Sequence, residues 1–161
     1  MVEVSVISVT HDKFTGLPMI ILGNTDENFA IPIWIGDYEA ELLENCLLGA
    51  VPPRPFPYDL ICNVIASLDG EVEKVVINQF DKGIYFASIF IKRKDGEIVK
   101  IDARPSDSIN IAVRTGAPIF VTKEIIEKAC LIKLKEENSP YSPQQKRELE
   151  KLLKYIFDEE E

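Results

Sequence analysis

The chain opens on alternation. In VEVSVISV, Val2, Val4, Val6 and then Ser8 fall on one face and Glu3, Ser5, Ile7 and Val9 on the other, the period of a half-buried strand. LPMIILG, after a turn at Thr15-Gly16, predicts a second strand, and FAIPIWI a third with Phe29, Ile31, Ile33 and Ile35 on one face. Pro32 has no N–H to donate, which marks the third strand as an edge or as one with an open side. The period then lengthens. DYEAELLENCLLG predicts a helix capped by Asp37, with Leu42, Leu43, Cys46 and Leu47 inward and Gly49 at its left-handed end. VPPRPFP is too rich in proline for helix or central strand and reads as a stiff connector. YDLICNVIASLDG predicts a second amphipathic helix, with Leu60, Ile61, Val64, Ile65 and Leu68 inward.

The second half repeats this grammar. VEKVVINQF, IYFASIFIK and EIVKIDAR are strands joined by turns at Asp81-Lys82-Gly83 and Lys94-Asp95-Gly96, and a helix follows from about Asp107 to Thr115. Ser106 is its expected N-cap, Gly116 its stop and Pro118 the bar to its return. IPIWIGDYEAELLENCLLGA and VKIDARPSDSINIAVRTGA therefore share one plan: alternating strand, short break, Asp, amphipathic helix, Gly-Ala. The fold class expected is α+β, a duplicated unit of antiparallel strands plus helix. APIFVT and KEIIEKAC predict a short strand and helix, and SPQQKRELEKLLKYIF a C-terminal helical tail. Residues 1–127 would form the domain, and 128–161 a linker with that amphipathic helix.

Composition narrows the function. With 161 residues the chain has room for one domain with a real core, and its formal charge of −9 opposes a broad basic face for nucleic acid. Any polyanion would have to be met by bound cations or by a local group of Arg and Lys. The single histidine, His11, leaves little for a histidine-based triad or zinc site. Cys46, Cys62 and Cys130 form no C-x-x-C pair and read as small buried hydrophobes in a reducing compartment. The N-terminus alternates and lacks a leader, and no segment has the ~18 apolar residues of a membrane span. The expectation is a cytoplasmic protein with no membrane partner. Pro32, Trp34 and the apolar C-terminal helix predict a homo-oligomer, in the first instance a dimer.

The chemistry gathers in DARPSD. Asp102, Arg104 and Asp107 sit where a strand gives way to a helix, and two readings fit them. In one, the acids complement a helix N-terminus and Arg104 completes a structural ion-pair cluster. In the other, paired carboxylates hold Mg²⁺ or Mn²⁺, the metal activates water, and the arginine neutralises phosphate charge. A third use needs only Arg104 and free backbone N–H groups at Ser106, enough to seat a small phosphorylated or carboxylated ligand. Glu39, Glu41 and Glu44 could add ligands but read better as a solvated helix face, and Trp34 with Tyr38 as packing or base-stacking aromatics.

IWIGDYEA, VPPRPFPYDL and above all DARPSDSINIAVRTGAPIFV resemble the bifunctional nuclease domain family over roughly residues 1–127. The resemblance implies a metal-dependent nuclease cleaving DNA and RNA. The residue roles are inferred from their chemistry: for that activity Asp102, Arg104 and Asp107 would be catalytic, and Arg104, Ser106 and Arg114 would bind substrate. Asp102, Asp107 and Asp59 would ligate Mg²⁺ or Mn²⁺. The family commonly carries histidine in a pattern like R-P-x-T-H-D-L, where this chain has Tyr58 in RPFPYDL. The alternative kept beside it is a non-catalytic oligomeric binding or assembly module, or a small anionic-ligand binder, in which the same Asp/Arg cluster is structural.

Overall fold

Two three-stranded meanders stand side by side in one mixed sheet. The computed structural model describes residues 1–24, 26, 29–128 and 132–133. The first meander is β1 (Val2–His11), β2 (Pro18–Asn24) and β3 (Phe29–Trp34), followed by α1 (Asp37–Leu47) and α2 (Pro57–Ser67). The second is β4 (Glu71–Asp81), β5 (Ile84–Lys92) and β6 (Ile98–Ala103), followed by α3 (Pro105–Thr115). β7 (Ile119–Val121), α4 (Lys123–Lys128) and the short β8 (Ile132–Lys133) complete the described elements. The strand order is β6-β5-β4-β7-β1-β2-β3-β8. β7 is the seam between the meanders, antiparallel to β1 and parallel to β4.

The class is α+β, and the order of three strands then a helix occurs twice, as the alternation implied. One core joins the halves: Ile20, Leu22, Ile31 and Ile33 pack in the same cluster as Leu43, Val75, Ile77, Ala87 and Ile109. The β4–β5 turn is a two-residue loop with positive φ at Lys82 (50°) and Gly83 (81°), the twist a tight hairpin needs. Pro32 sits as its chemistry demands. Ile35 N–H bonds to Pro18 O, so alternation makes Pro32 and Ile21 a pair without mutual hydrogen bonds and turns the proline nitrogen away from β2. Among the described residues β3 pairs on that outer side only at Phe29 and Ala30.

Several local expectations are corrected. A bulge between Val6 and Ser8 advances β1 by one residue, so Val9 rather than Ser8 continues the core-facing row. The helix caps lie one or two residues earlier than expected, at Gly36 for α1 and Arg104 for α3, which places Ser106 inside a buried first turn. Leu47, at the very end of α1, is exposed. The largest difference is α2. Leu60 is 56% and Leu68 76% exposed, with Ile61 and Val64 open as well. Ile65 faces inward as expected, and Tyr58, Asp59 and Cys62 take the inward places of the other four. α2 packs chiefly on α3 rather than across the sheet, so the stripe it buries is the one that meets α3. The expected C-terminal helix and Cys130 lie outside the described residues. No helix among those described is long and apolar enough to cross a membrane.

Candidate functional site

β3 and β6 each end by delivering the chain into a helix, and the two helix starts meet. Arg104, the N-cap of α3, bridges them. Its Nε donates to Asp107 Oδ2 at 2.8 Å and its Nη2 to Asp107 Oδ1 at 3.0 Å, both within the first turn of α3. The same Nη2 donates to Glu39 Oε1, in the first turn of α1, at 3.1 Å. Neither N-cap residue supplies a side-chain cap, and acidic side chains in the first turns, Asp37 and Glu39 of α1 and Asp107 of α3, supply negative charge at these two positive helix ends. From α2, the Tyr58 hydroxyl donates to Asp107 Oδ1 at 2.6 Å.

This arrangement fixes charge states. Burial pushes the Asp107 carboxyl up, but the Arg104 and Tyr58 hydrogen bonds outweigh it and hold Asp107 below the usual carboxylate range. Burial, then donation to Asp107, pushes the Tyr58 hydroxyl well above its ordinary value. Hydrogen bonds to Asp107 and Glu39 raise Arg104 further into permanent charge. A carboxylate depressed on folding contributes stability above its unfolded pKa of about 3.9, and that contribution is lost as pH falls through the folded value. Arg104→Ala removes the main partner, so its acid unfolding, followed by circular dichroism, is expected to begin at higher pH than in the wild type. Coincident acid transitions would contradict this account of Asp107.

A second arginine ties the same helices together from beneath. Arg114, at the end of α3, donates Nε to Asp59 Oδ1 at 3.1 Å and Nη1 to Asn110 Oδ1 at 2.8 Å. Its Nη2 donates to the Leu42 carbonyl of α1 at 3.1 Å. Its guanidinium also lies 5.3 Å from the centre of the Tyr58 ring. Asp59 Oδ2 accepts the Phe56 N–H at 3.0 Å, fixing the first turn of α2. Asn110 completes the lattice by donating to the Ser106 carbonyl at 2.9 Å.

Beside Arg104 opens a groove of about 360 Å³ lined by Trp34, Ile35, Gly36, Ile84, Tyr85 and Ser106, among others. Trp34 is 45% exposed, and its indole N–H is anchored on Asp12 Oδ2 at 3.0 Å. Arg104 is itself 66% exposed, and its Nη1 has no hydrogen-bond partner among the described residues. A cation with an open donor nitrogen and a fixed aromatic face lining the same groove can receive an anionic group attached to a planar ring.

The expected site residues therefore divide. Arg104 and Asp107 are in direct contact. Asp59 belongs to the neighbouring Arg114 network, and Arg114 is turned inward with its donors used by the protein. Ser106 lines the groove but is buried. Asp102 stands apart. Ala103 packs against the core, so Asp102, one residue earlier on β6, points to the sheet face away from the helices, opposite Ser88. The expected metal set does not converge: Asp59 and Asp107 spend their oxygens on Arg114, Phe56, Arg104 and Tyr58. Among the described residues no three His, Cys, Asp or Glu side chains form a group able to hold an ion. A Mg²⁺ or Mn²⁺ ion shared by Asp59, Asp102 and Asp107 does not fit this donor set. Asp102→Asn is accordingly expected to leave stability within about 0.5 kcal/mol of the wild type, as read by urea denaturation; a larger loss would place Asp102 in the network. Glu39, Asn110 and Tyr58 were not expected as members. The sequence signals pointing at any of them were Tyr58 in place of a family histidine and Glu39 as a possible further ligand on the acidic face of α1.

The bifunctional nuclease domain profile matches residues 20–133. An uncharacterized protein of Mycobacterium tuberculosis is 34% identical over 132 residues, covering 82% of this chain and 78% of the relative. Bifunctional nuclease 1 of Arabidopsis thaliana is 32% identical over 109 residues, covering 66% of this chain and 34% of the plant protein. Bifunctional nuclease 2 of Oryza sativa subsp. japonica is 32% identical over 111 residues, with 67% and 34% covered. The match thus spans most of the mycobacterial relative and about a third of each plant one.

Proposed function

From the premise that the chain belongs to the bifunctional nuclease domain family, we propose that it hydrolyses phosphodiester bonds of DNA and RNA at the mouth of the Trp34 groove. Arg104 is the phosphate clamp. The observation that carries the reading is that Arg104, with an open guanidinium nitrogen, and the exposed, anchored Trp34 line one groove. Arg104 would neutralise a non-bridging phosphate oxygen while Trp34 stacks the adjoining base. Asp107 and Glu39 act as positioning residues: they hold the guanidinium at the groove. A carboxyl whose pKa is depressed is a weak proton acceptor, so Asp107 orients rather than abstracts. No step is assigned to Mg²⁺ or Mn²⁺, because among the described residues the carboxylates do not form their site.

One observation favours a second reading. The network is closed, since each acid in it already has protein partners, as a purely structural clasp in an assembly module would be. The deciding experiment is cleavage of end-labelled single- and double-stranded DNA and RNA by the pure protein, with Mg²⁺, Mn²⁺ or EDTA. The nuclease reading expects cutting that falls at least tenfold in Asp107→Asn, because a loosened Arg104 meets the phosphate less often, and that survives Asp102→Asn. No cutting under any condition overturns it in favour of the assembly module. Cutting unaffected by Asp107→Asn moves the active centre elsewhere.

A further inference from the structure

We propose that β6 is a dimerisation edge, pairing antiparallel with β6 of a second copy of this chain across a two-fold axis at Ile101. Among the described residues β6 hydrogen-bonds to β5 alone and ends the sheet. Ile98, Val99 and Ile101 are all exposed on it. An open edge carrying apolar side chains is a template for another strand.

The charges choose the register. In an antiparallel pair, residues directly opposite share a face, so a two-fold axis must pass through a residue rather than between two that point to opposite faces. An axis at Lys100 would oppose Lys100 with its own copy. An axis at Ile101 sets Lys100 against Asp102 of the second copy, twice, and Val99 against Ala103. Among the described residues neither Lys100 nor Asp102 has an ion-pair partner within the chain, and this register supplies both. Opposite charges facing each other across strands stabilise the pair, and like charges oppose it. The helix side continues the contact. Val99 pairs with Ile91 of β5, and Ile91 and Ile65 of α2 both crowd Gly70, at 3.3 and 3.1 Å from where a Cβ would stand. A strand edge alone falls short of the ~800 Å² per partner of a standard interface, and the exposed side chains of Ile98, Val99 and Ile101 add to the contact.

The test is sedimentation equilibrium of the full chain, with circular dichroism to verify folding. The wild type is expected to be a dimer. Lys100→Asp sets acids against acids at both pairs and Asp102→Lys sets lysines against lysines, so each is expected to raise the dimer dissociation constant at least about tenfold. The double exchange Lys100→Asp with Asp102→Lys restores opposite pairs and is expected to restore the dimer. A monomeric wild type overturns the proposal. So does a dimer that tolerates both single changes, or a double exchange no better than either single one.

Discussion

Replacing Arg114 with alanine is expected to lower the unfolding free energy by roughly 3 kcal/mol, the largest loss at any single position of the site. The reasoning rests on what the truncation leaves behind. The Arg114 side chain is only 10% exposed and reaches three helices: Asp59 on α2, the Leu42 carbonyl on α1 and Asn110 on its own α3. Alanine leaves Asp59 Oδ1 without its charged partner, with only Phe56 N–H still bonded to the other oxygen, and takes the second donor from the Leu42 carbonyl, so both bear part of their desolvation penalty. It also removes the cation beneath the Tyr58 ring and opens a void where the guanidinium stood. Lysine keeps the charge but cannot reproduce a planar fork directed at three acceptors, so Arg114→Lys is expected to recover only part of the loss. Urea denaturation reads this directly, as a lowered midpoint with unchanged slope. A loss below about 1 kcal/mol would mean that α1, α2 and α3 are held by apolar packing alone.

Arg104→Ala is expected to do the opposite. The side chain is 66% exposed, and its pairs with Asp107 and Glu39 lie at the surface, where such contacts contribute about 1 kcal/mol or less. Its removal should therefore leave the fold nearly intact. Loss of a preorganised cation from a developing phosphate charge is instead worth about 10²- to 10³-fold in rate. The two arginines on one helix thus separate stability from activity. A reading in which the whole cluster is structural predicts no such separation.

These contrasts show where the sequence was readable. Strand alternation survives folding because side chains on a strand can only alternate, and both meanders were legible for that reason. The turn at Lys82-Gly83 was legible from the residues themselves. The facing of α2 was not, apart from Ile65: periodicity shows that a helix has an apolar side but not which neighbour covers it, and here α3 draws Tyr58 and Cys62 inward. The site was half legible. Arg104 and Asp107 are close in the chain and remain close because they flank one helix start. Asp102 is as near in sequence, but the strand ends between them and its side chain points the other way. Tyr58 with Asp107, and Asp59 with Arg114, come from segments about fifty residues apart, and no local pattern announces such pairs.

The central claim is that Arg104 meets substrate phosphate. The most direct measurement is the cleavage rate of end-labelled single-stranded DNA and RNA by wild type and Arg104→Ala under single-turnover conditions, with the unfolding midpoint taken on the same preparations. The account predicts a rate at least about a hundredfold lower in the variant, with a midpoint close to that of the wild type. Equal rates in the two proteins, or a wild type that cleaves neither substrate, would contradict it.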